Sequence, residues 1–367
     1  MALGITVDDS SQNQSQPITP SAPPLESMAP VDVNQVRFVV VVDAATHSQP
    51  ISAQTEALNA SESLRRIINE KINCDSKGNH IIRDVDESEF RQLIEFLEKK
   101  KLQFRDQNHR LQMFNVAKQY NCADMQIYCL REVDANLDVS NVITVYRTLW
   151  FYGSLTAHKD PIDRKKTNMK KANYTPEEFL TYLVFNVLQF INMNAENVLL
   201  SEEIDELRFK EFENIVKQDD LLLRSEMVLI NALTRWSRAE CRRKNIELSF
   251  ENERTVLGEL CYAPRYLTLK PSEFELACKN IRFLDPAEVT LIREAFDGKK
   301  SNLTAEQTNM LNNFRKPRPK YTRMPIYLSP RSHPKKYSRR MRRNDRTESD
   351  GSSCFLDCLA AFICLCD

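Results

Sequence analysis

Apolar residues recur along this chain with two different periods, and polar, proline-bearing stretches separate the segments that carry them. Val36-Arg-Phe-Val-Val-Val-Val-Asp43 is a β-branched run of strand length. Ile81-Ile82 marks a second, shorter strand candidate after the turn-forming Asp75-Ser-Lys-Gly-Asn79. Beyond it the period becomes helical. Phe90, Leu93, Ile94 and Leu97 share one face, as do Leu111, Phe114, Val116, Ala117 and Tyr120. Asp86 or Ser88 is placed to cap the first of these helices. The same period predicts helices over 140–152, 176–193, 201–216, 223–243, 251–262, 271–280 and 285–297. Thr175-Pro176-Glu-Glu178 and Asp285-Pro286-Ala-Glu288 both read as helix starts. Each offers a cap residue, a proline where no N–H is needed, and early acids that favour the positive end of the helix dipole.

Polar composition marks the boundaries. Residues 1–34 are rich in Ser, Gln and Pro and are expected to be disordered. Residues 157–173, with six Lys or Arg and Pro161, read as a loop insertion. The expected organisation is therefore an α+β chain with a small α/β domain at 36–135 and an all-helical domain at 136–298. A basic disordered tail at 299–350 and an apolar tip at 351–367 complete it. No repeat of fixed period appears, which excludes propellers and solenoids.

Charge changes the picture at the C-terminal end. The chain carries 51 basic and 51 acidic residues, so its net charge is zero. Between Arg315 and Arg346, however, thirteen Lys or Arg face one acid, Asp345; that stretch is +12 (13 − 1) and the remainder −12. Behind it come Cys354, Cys358, Cys364 and Cys366 in an apolar setting. This tip is too short to cross a bilayer as a simple helix, which takes roughly 20 residues. S-acylation of the four cysteines is the favoured reading, with Arg339, Arg340, Arg342 and Arg343 meeting an anionic leaflet. Each basic residue near such a surface contributes about 1 kcal/mol. Zinc binding fits poorly, because Leu, Ala, Phe and Ile stand where a knuckle needs turn formers. Prenylation fits poorly with a terminal Asp367. The tip is also similar to cysteine-rich transmembrane modules of small eukaryotic proteins, interrupted here by Asp357. An unmodified tail packing on a partner stays open. So does a nuclear-localisation or nucleic-acid role for the basic run, where Tyr321, Tyr327 and Tyr337 could stack. With no folded reader beside it, such binding would be nonspecific, and no specific nucleic acid is expected.

Catalytic chemistry has little to stand on. The six glycines are isolated, so no phosphate-cradling loop and no nucleophile elbow can be written. The five histidines are scattered, with no His-Glu-x-x-His. No enzyme, metal or cofactor is expected. Cys74, Cys122, Cys129, Cys241, Cys261 and Cys278 sit singly in periodic segments and read as reduced thiols of a cytosolic protein. No apolar stretch follows a basic start, so no secretory signal is expected.

A resemblance sharpens this reading. Leu137-Asp-Val-Ser-Asn-Val142 opens the helical domain, and Trp236 with Glu240-Cys241 lies in Ala232-Leu-Thr-Arg-Trp-Ser-Arg-Ala-Glu-Cys241. Leu248-Ser-Phe-Glu-Asn252, Arg254 and Val256-Leu257-Gly258 follow. Together these resemble the BACK domain of BTB/POZ adaptors whose longer members end in a PHR domain. Ala117-Lys118, Tyr120 and Asp84-Val85 with Phe90 are similar to parts of that family's BTB domain. The resemblance implies a diverged BTB/POZ domain followed by BACK. It implies a non-enzymatic adaptor that brings a client protein to a cullin-3 ubiquitin ligase, with homodimers or heterodimers through the BTB domain. Together with the tail, it implies a cytoplasmic protein peripheral to a membrane. The cullin-facing element would be Ile72, Asn73 and Cys74, flanked by Ile68–Cys74, Leu111–Tyr120 and the helix at Asn141–Phe151. Departures from the family are Gln35 for an Asp before the first strand and Gln54 for a buried basic residue in the next helix. Glu98-Lys-Lys-Lys101 replaces a Tyr-centred turn, and Cys74 stands in place of a Glu. The PHR domain is missing. A membrane scaffold that has lost cullin binding is the alternative, with a nuclear regulator third.

Overall fold

The computed structural model describes residues 34–41, 48–153, 174–299 and 303–339. A three-stranded sheet in the order β2-β1-β3 forms the small domain's core. Strand β1 (Gln35–Val40) pairs antiparallel with β2 (Ile51–Gln54) and parallel with β3 (His80–Ile82). The parallel step needs a crossover, which helices α1 (Thr55–Leu58) and α2 (Glu62–Asn69) supply. Ser61 begins α2 by accepting from Leu64 N, and its hydroxyl donates to the Tyr120 carbonyl at 2.6 Å. One side chain thus starts a helix and ties it to the end of another.

Helix α3 (Glu87–Lys99) packs on that sheet, α4 (Gln107–Gln119) packs on α3, and α5 (Ala123–Ala135) packs on α4. Asp86 is the residue that caps α3, accepting from Ser88 N and Glu89 N. Phe38, Phe90 and Tyr120 form a chain of edge-on rings with centroids 5.4 and 5.6 Å apart. This places the first strand, α3 and α4 around one apolar centre, as aromatic quadrupoles prefer.

The remainder is helical: α6 (Val142–Gly153), α7 (Pro176–Met193), α8 (Ala195–Leu200), α9 (Phe209–Val216) and α10 (Met227–Arg243). They are followed by α11 (Phe250–Leu257), α12 (Pro271–Cys278), α13 (Pro286–Phe296) and α14 (Ala305–Arg315). Thr175 and Asp285 form full capping boxes with Glu178 and Glu288. The helix expected over 201–216 is interrupted. Leu207 and Arg208 are extended, which turns the Leu207 carbonyl to accept from the Trp236 indole N–H at 2.9 Å. The helix expected over 251–262 likewise stops at Gly258, whose φ of +52° starts a tighter 3-10 turn. A Cβ there would meet nothing within 4 Å, so the glycine serves the bend and not a close approach.

The main correction concerns the expected disordered tail at 299–350. Residues 303–339 pack along their described length on the helical domain and on Asp134 at the end of α5. Phe314 of α14 packs edge-on to Tyr266 at 4.9 Å, and Met324, Ile326 and Leu328 beyond it are buried. We term residues 316–333 the strap. It holds its place because its basic side chains find buried acids and its alternating aliphatics find a groove, which a solvated tail does not do. Residues 1–33, 154–173 and 340–367 lie outside the described residues, and with them the expected disordered N-terminus, the loop insertion and the apolar tip. No helix among the described residues is long and apolar enough to cross a membrane.

Candidate interaction surfaces

Ile72, Asn73 and Cys74 come together in the connection from α2 to β3. Ile72 N donates to the Ile67 carbonyl at 3.1 Å, which fastens the connection to the end of α2. Ile81 N donates to the Asn73 carbonyl at 2.8 Å, and Cys74 pairs with His80 as an isolated bridge. The Cys74 thiol lies 3.4 Å from His80 Nδ1. Asp75 closes the following turn by accepting from Lys77 N and Asn79 N, both at 2.8 Å. Those hydrogen bonds, led by the one from the Asn79 side chain, lower the carboxyl below its usual range. Asn73 and Cys74 are exposed and Ile72 is half-buried.

The flanking segments contribute less than expected. Leu111, Met113, Phe114, Val116, Ala117 and Tyr120 are core residues, so most of the 111–120 stretch cannot face a partner. Val142, Ile143, Val145, Tyr146 and Leu149 of α6 are buried in the same way. What remains outward is the polar edge of α4: Gln112, Asn115, Lys118 and Gln119. Sequence reasoning named the whole segment Leu111–Tyr120 without separating these four from its core residues; helical phase could have done so. Gln119 donates to the Asp84 carbonyl at 3.2 Å, and Ser63 of α2 reaches the Gln119 carbonyl. Tyr152 of α6 donates its hydroxyl to Asn115 at 2.8 Å, with Lys118 Nζ 4.1 Å from its ring centroid. A continuous polar face therefore runs from α2 across α4 to the end of α6.

Gln35 and Gln54 are directly opposite in the β1–β2 register, and both are exposed. The expectation that Gln54 holds a buried helical position is not met. It ends β2 and precedes α1.

In the helical domain Trp236 is fully buried and stacked on Phe212, ring centroids 4.7 Å apart and 8° from parallel. Its neighbour Arg235 turns outward to the end of α8, donating to the Leu199 and Ser201 carbonyls at 3.1 and 3.0 Å and to Asp205. Arg254 binds Glu288 through both guanidinium nitrogens at 2.8 Å, and the Tyr262 hydroxyl adds a third donor at 2.6 Å. Burial raises the Glu288 pKa, yet these donors outweigh it and hold the carboxyl below its usual range. Burial likewise pushes the Tyr262 hydroxyl up to about 12, aided by Glu288. These are scaffold interactions that fix how the helices stack.

Residues 177–255, from α7 into α11, match the family model described as BTB And C-terminal Kelch, or BACK. The chain carries a BACK domain. BTB/POZ domain-containing protein 3 of Homo sapiens is 34% identical over 86 residues, which is 23% of this chain and 16% of that protein. BTB/POZ domain-containing protein 6 of Xenopus tropicalis is 32% identical over 92 residues, 25% of this chain and 17% of the relative. The 6-B protein of Danio rerio is 34% identical over 92 residues, 25% and 19% respectively. The matches thus span less than a fifth of the length of these relatives. Residues 177–255 thus carry the BACK match, a small α+β domain precedes them, and the relatives they resemble are named as BTB/POZ domain-containing proteins.

Among the described residues no group of His, Cys, Asp and Glu is arranged to hold a metal ion. The six described cysteines are free thiols. Cys129 and Cys261 are buried among apolar side chains; that burial raises both thiols, Cys261 to about 12, so neither is a nucleophile at neutral pH. Of the basic residues expected at a membrane, Arg339 is described and exposed. Arg340, Arg342, Arg343, Cys354, Cys358, Cys364 and Cys366 lie outside the described residues.

Proposed function

We propose that this protein recruits a client protein to a cullin-3 ubiquitin ligase at a membrane surface. The observation that carries the reading is the exposed polar face made by the start of α2, the edge of α4 and Tyr152, with the exposed Asn73 and Cys74 beyond the other end of α2. That face joins the BTB-like domain to the first BACK helix, so one helical partner could contact both. It is polar and hydrogen-bonded within itself, as suits a surface that must stay soluble when unpartnered. The basic run and the four tail cysteines support attachment to an anionic membrane.

Cys74, where the family carries Glu, favours a second reading: a membrane scaffold without cullin binding. The exposed Cys74 position accepts a substitution without disturbing the core, so the two readings separate cleanly. Under the ligase reading the full chain co-purifies with cullin-3, and Cys74→Glu strengthens the complex about tenfold. Equal and negligible recovery of both proteins, each folded by circular dichroism, supports the scaffold and ends the ligase reading.

A further inference from the structure

The strap lies in a cleft whose acids come from the helical domain, Asp220 and Glu226, and from Asp134 at the end of α5. At one end Arg318 pairs with Glu226, whose side chain is 5% exposed, at 2.6 Å, and donates to the Gln218 carbonyl at 2.8 Å. In the middle Arg323 approaches Asp220 at 3.9 Å. At the far end the Asn186 side chain meets the Ile326 backbone as a strand would, accepting from its N–H at 2.7 Å and donating to its carbonyl at 2.8 Å. Beside it Asp134, fully buried, accepts from Arg331 at 2.8 Å, from Ser332 at 3.0 Å and from Ser329. The strap supplies the cations and the extended backbone, and the body supplies the acids and an amide that reads backbone.

Between these anchors the fit is poor. A cavity of about 760 Å³ lies under the Lys316–Arg323 part of the strap, floored by Val184, Phe185 and Leu188. Gln189 lines it and is 4% exposed, yet its Oε1 has no hydrogen-bond partner among the described residues. A buried acceptor left unmade is costly, and it calls for an N–H donor from whatever fills the space. The cleft thus offers paired acids, a backbone-reading amide, an apolar floor and an unused acceptor.

We propose that this cleft is a docking site for basic, extended peptide segments, which the strap occupies in cis and from which a client segment of the same chemistry must displace it. The inference rests on the adaptor reading for the word client but not on cullin binding. The probe is a fluorescein-labelled peptide of residues 316–333, titrated by anisotropy into the full chain and into a full chain carrying Arg318→Glu and Arg331→Glu, whose own strap is loosened. We expect micromolar binding to the loosened chain and at least tenfold weaker binding to the wild type. A peptide bearing the same two substitutions binds neither. If the folded, loosened chain binds no peptide, or if both chains bind it equally, the proposal fails. Should the double variant not fold, Arg331→Gln alone is the substitute, with the same ordering required. No cullin is present, so this result and the failure of the ligase reading are distinguishable.

Discussion

At the residue scale, burial decides what each charged group does. Glu288 would be costly alone in its half-buried setting, but Arg254 and Tyr262 supply three donors to it. Its Oε2 also accepts from Asp285 N, completing the cap of α13. Because its folded pKa lies below the ordinary value of 4.5, its contribution is fully present above that pH and is lost as pH falls through the folded value. Glu288→Gln is expected to cost about 1.5–3 kcal/mol at neutral pH, the range for hydrogen bonds to charged groups. It should also flatten the stability curve on the acid side of 4.5. Chemical denaturation at stepped pH checks both, and parallel curves for the two proteins would contradict the sign. Arg254→Lys should not rescue the site, since an ammonium cannot bind bidentately.

At the element scale, the strap shows where sequence reading succeeds and where it stops. The helix starts at Thr175, Asp285 and Asp86 were legible because their caps and boxes are local patterns, complete within four residues. The break at Leu207 was not, because it answers to Trp236 across the fold, 29 residues later. The strap is the extreme case. Ile326 and Leu328 alternate with Pro325 and Tyr327 among basic residues, a pattern that reads as solvated chain. Ile326 is held by Asn186, 140 residues away, and Arg331 by Asp134, 197 residues away, so nothing local announced these contacts. Arg331 is the countercharge of a fully buried carboxylate, and removing it strands Asp134. Arg331→Met is therefore expected to cost about 3–5 kcal/mol, as for other broken buried pairs. Combining it with Asp134→Asn should restore most of that loss in a double-mutant cycle of urea midpoints. Strict additivity of the two substitutions would mean that the pair is not the strap's anchor.

At the scale of the whole molecule, the uneven charge acquires a structural meaning. Part of the +12 stretch does not wait for an outside partner: Arg318, Arg323 and Arg331 meet Glu226, Asp220 and Asp134 of the body. Lys335, Lys336 and Arg339, near the end of the described chain, are exposed. The candidate cullin face was only partly legible for a related reason. Periodicity located α4, but it marks the side that faces the core, and the exposed side is what periodicity leaves over. Membrane attachment is tested by replacing Cys354, Cys358, Cys364 and Cys366 with Ser. The variant should move from the membrane to the soluble fraction of a cell lysate, and an unchanged distribution ends the anchor reading.

The most direct test of recruitment is a calorimetric titration of the purified full chain with the N-terminal region of cullin-3 at near-physiological salt. The ligase account predicts saturable binding in the micromolar range or tighter, weakened at least tenfold by Lys118→Glu on the exposed edge of α4. No heat of binding from a folded, monodisperse protein would contradict it, and would leave a scaffold that keeps the BTB/POZ–BACK fold without the ligase.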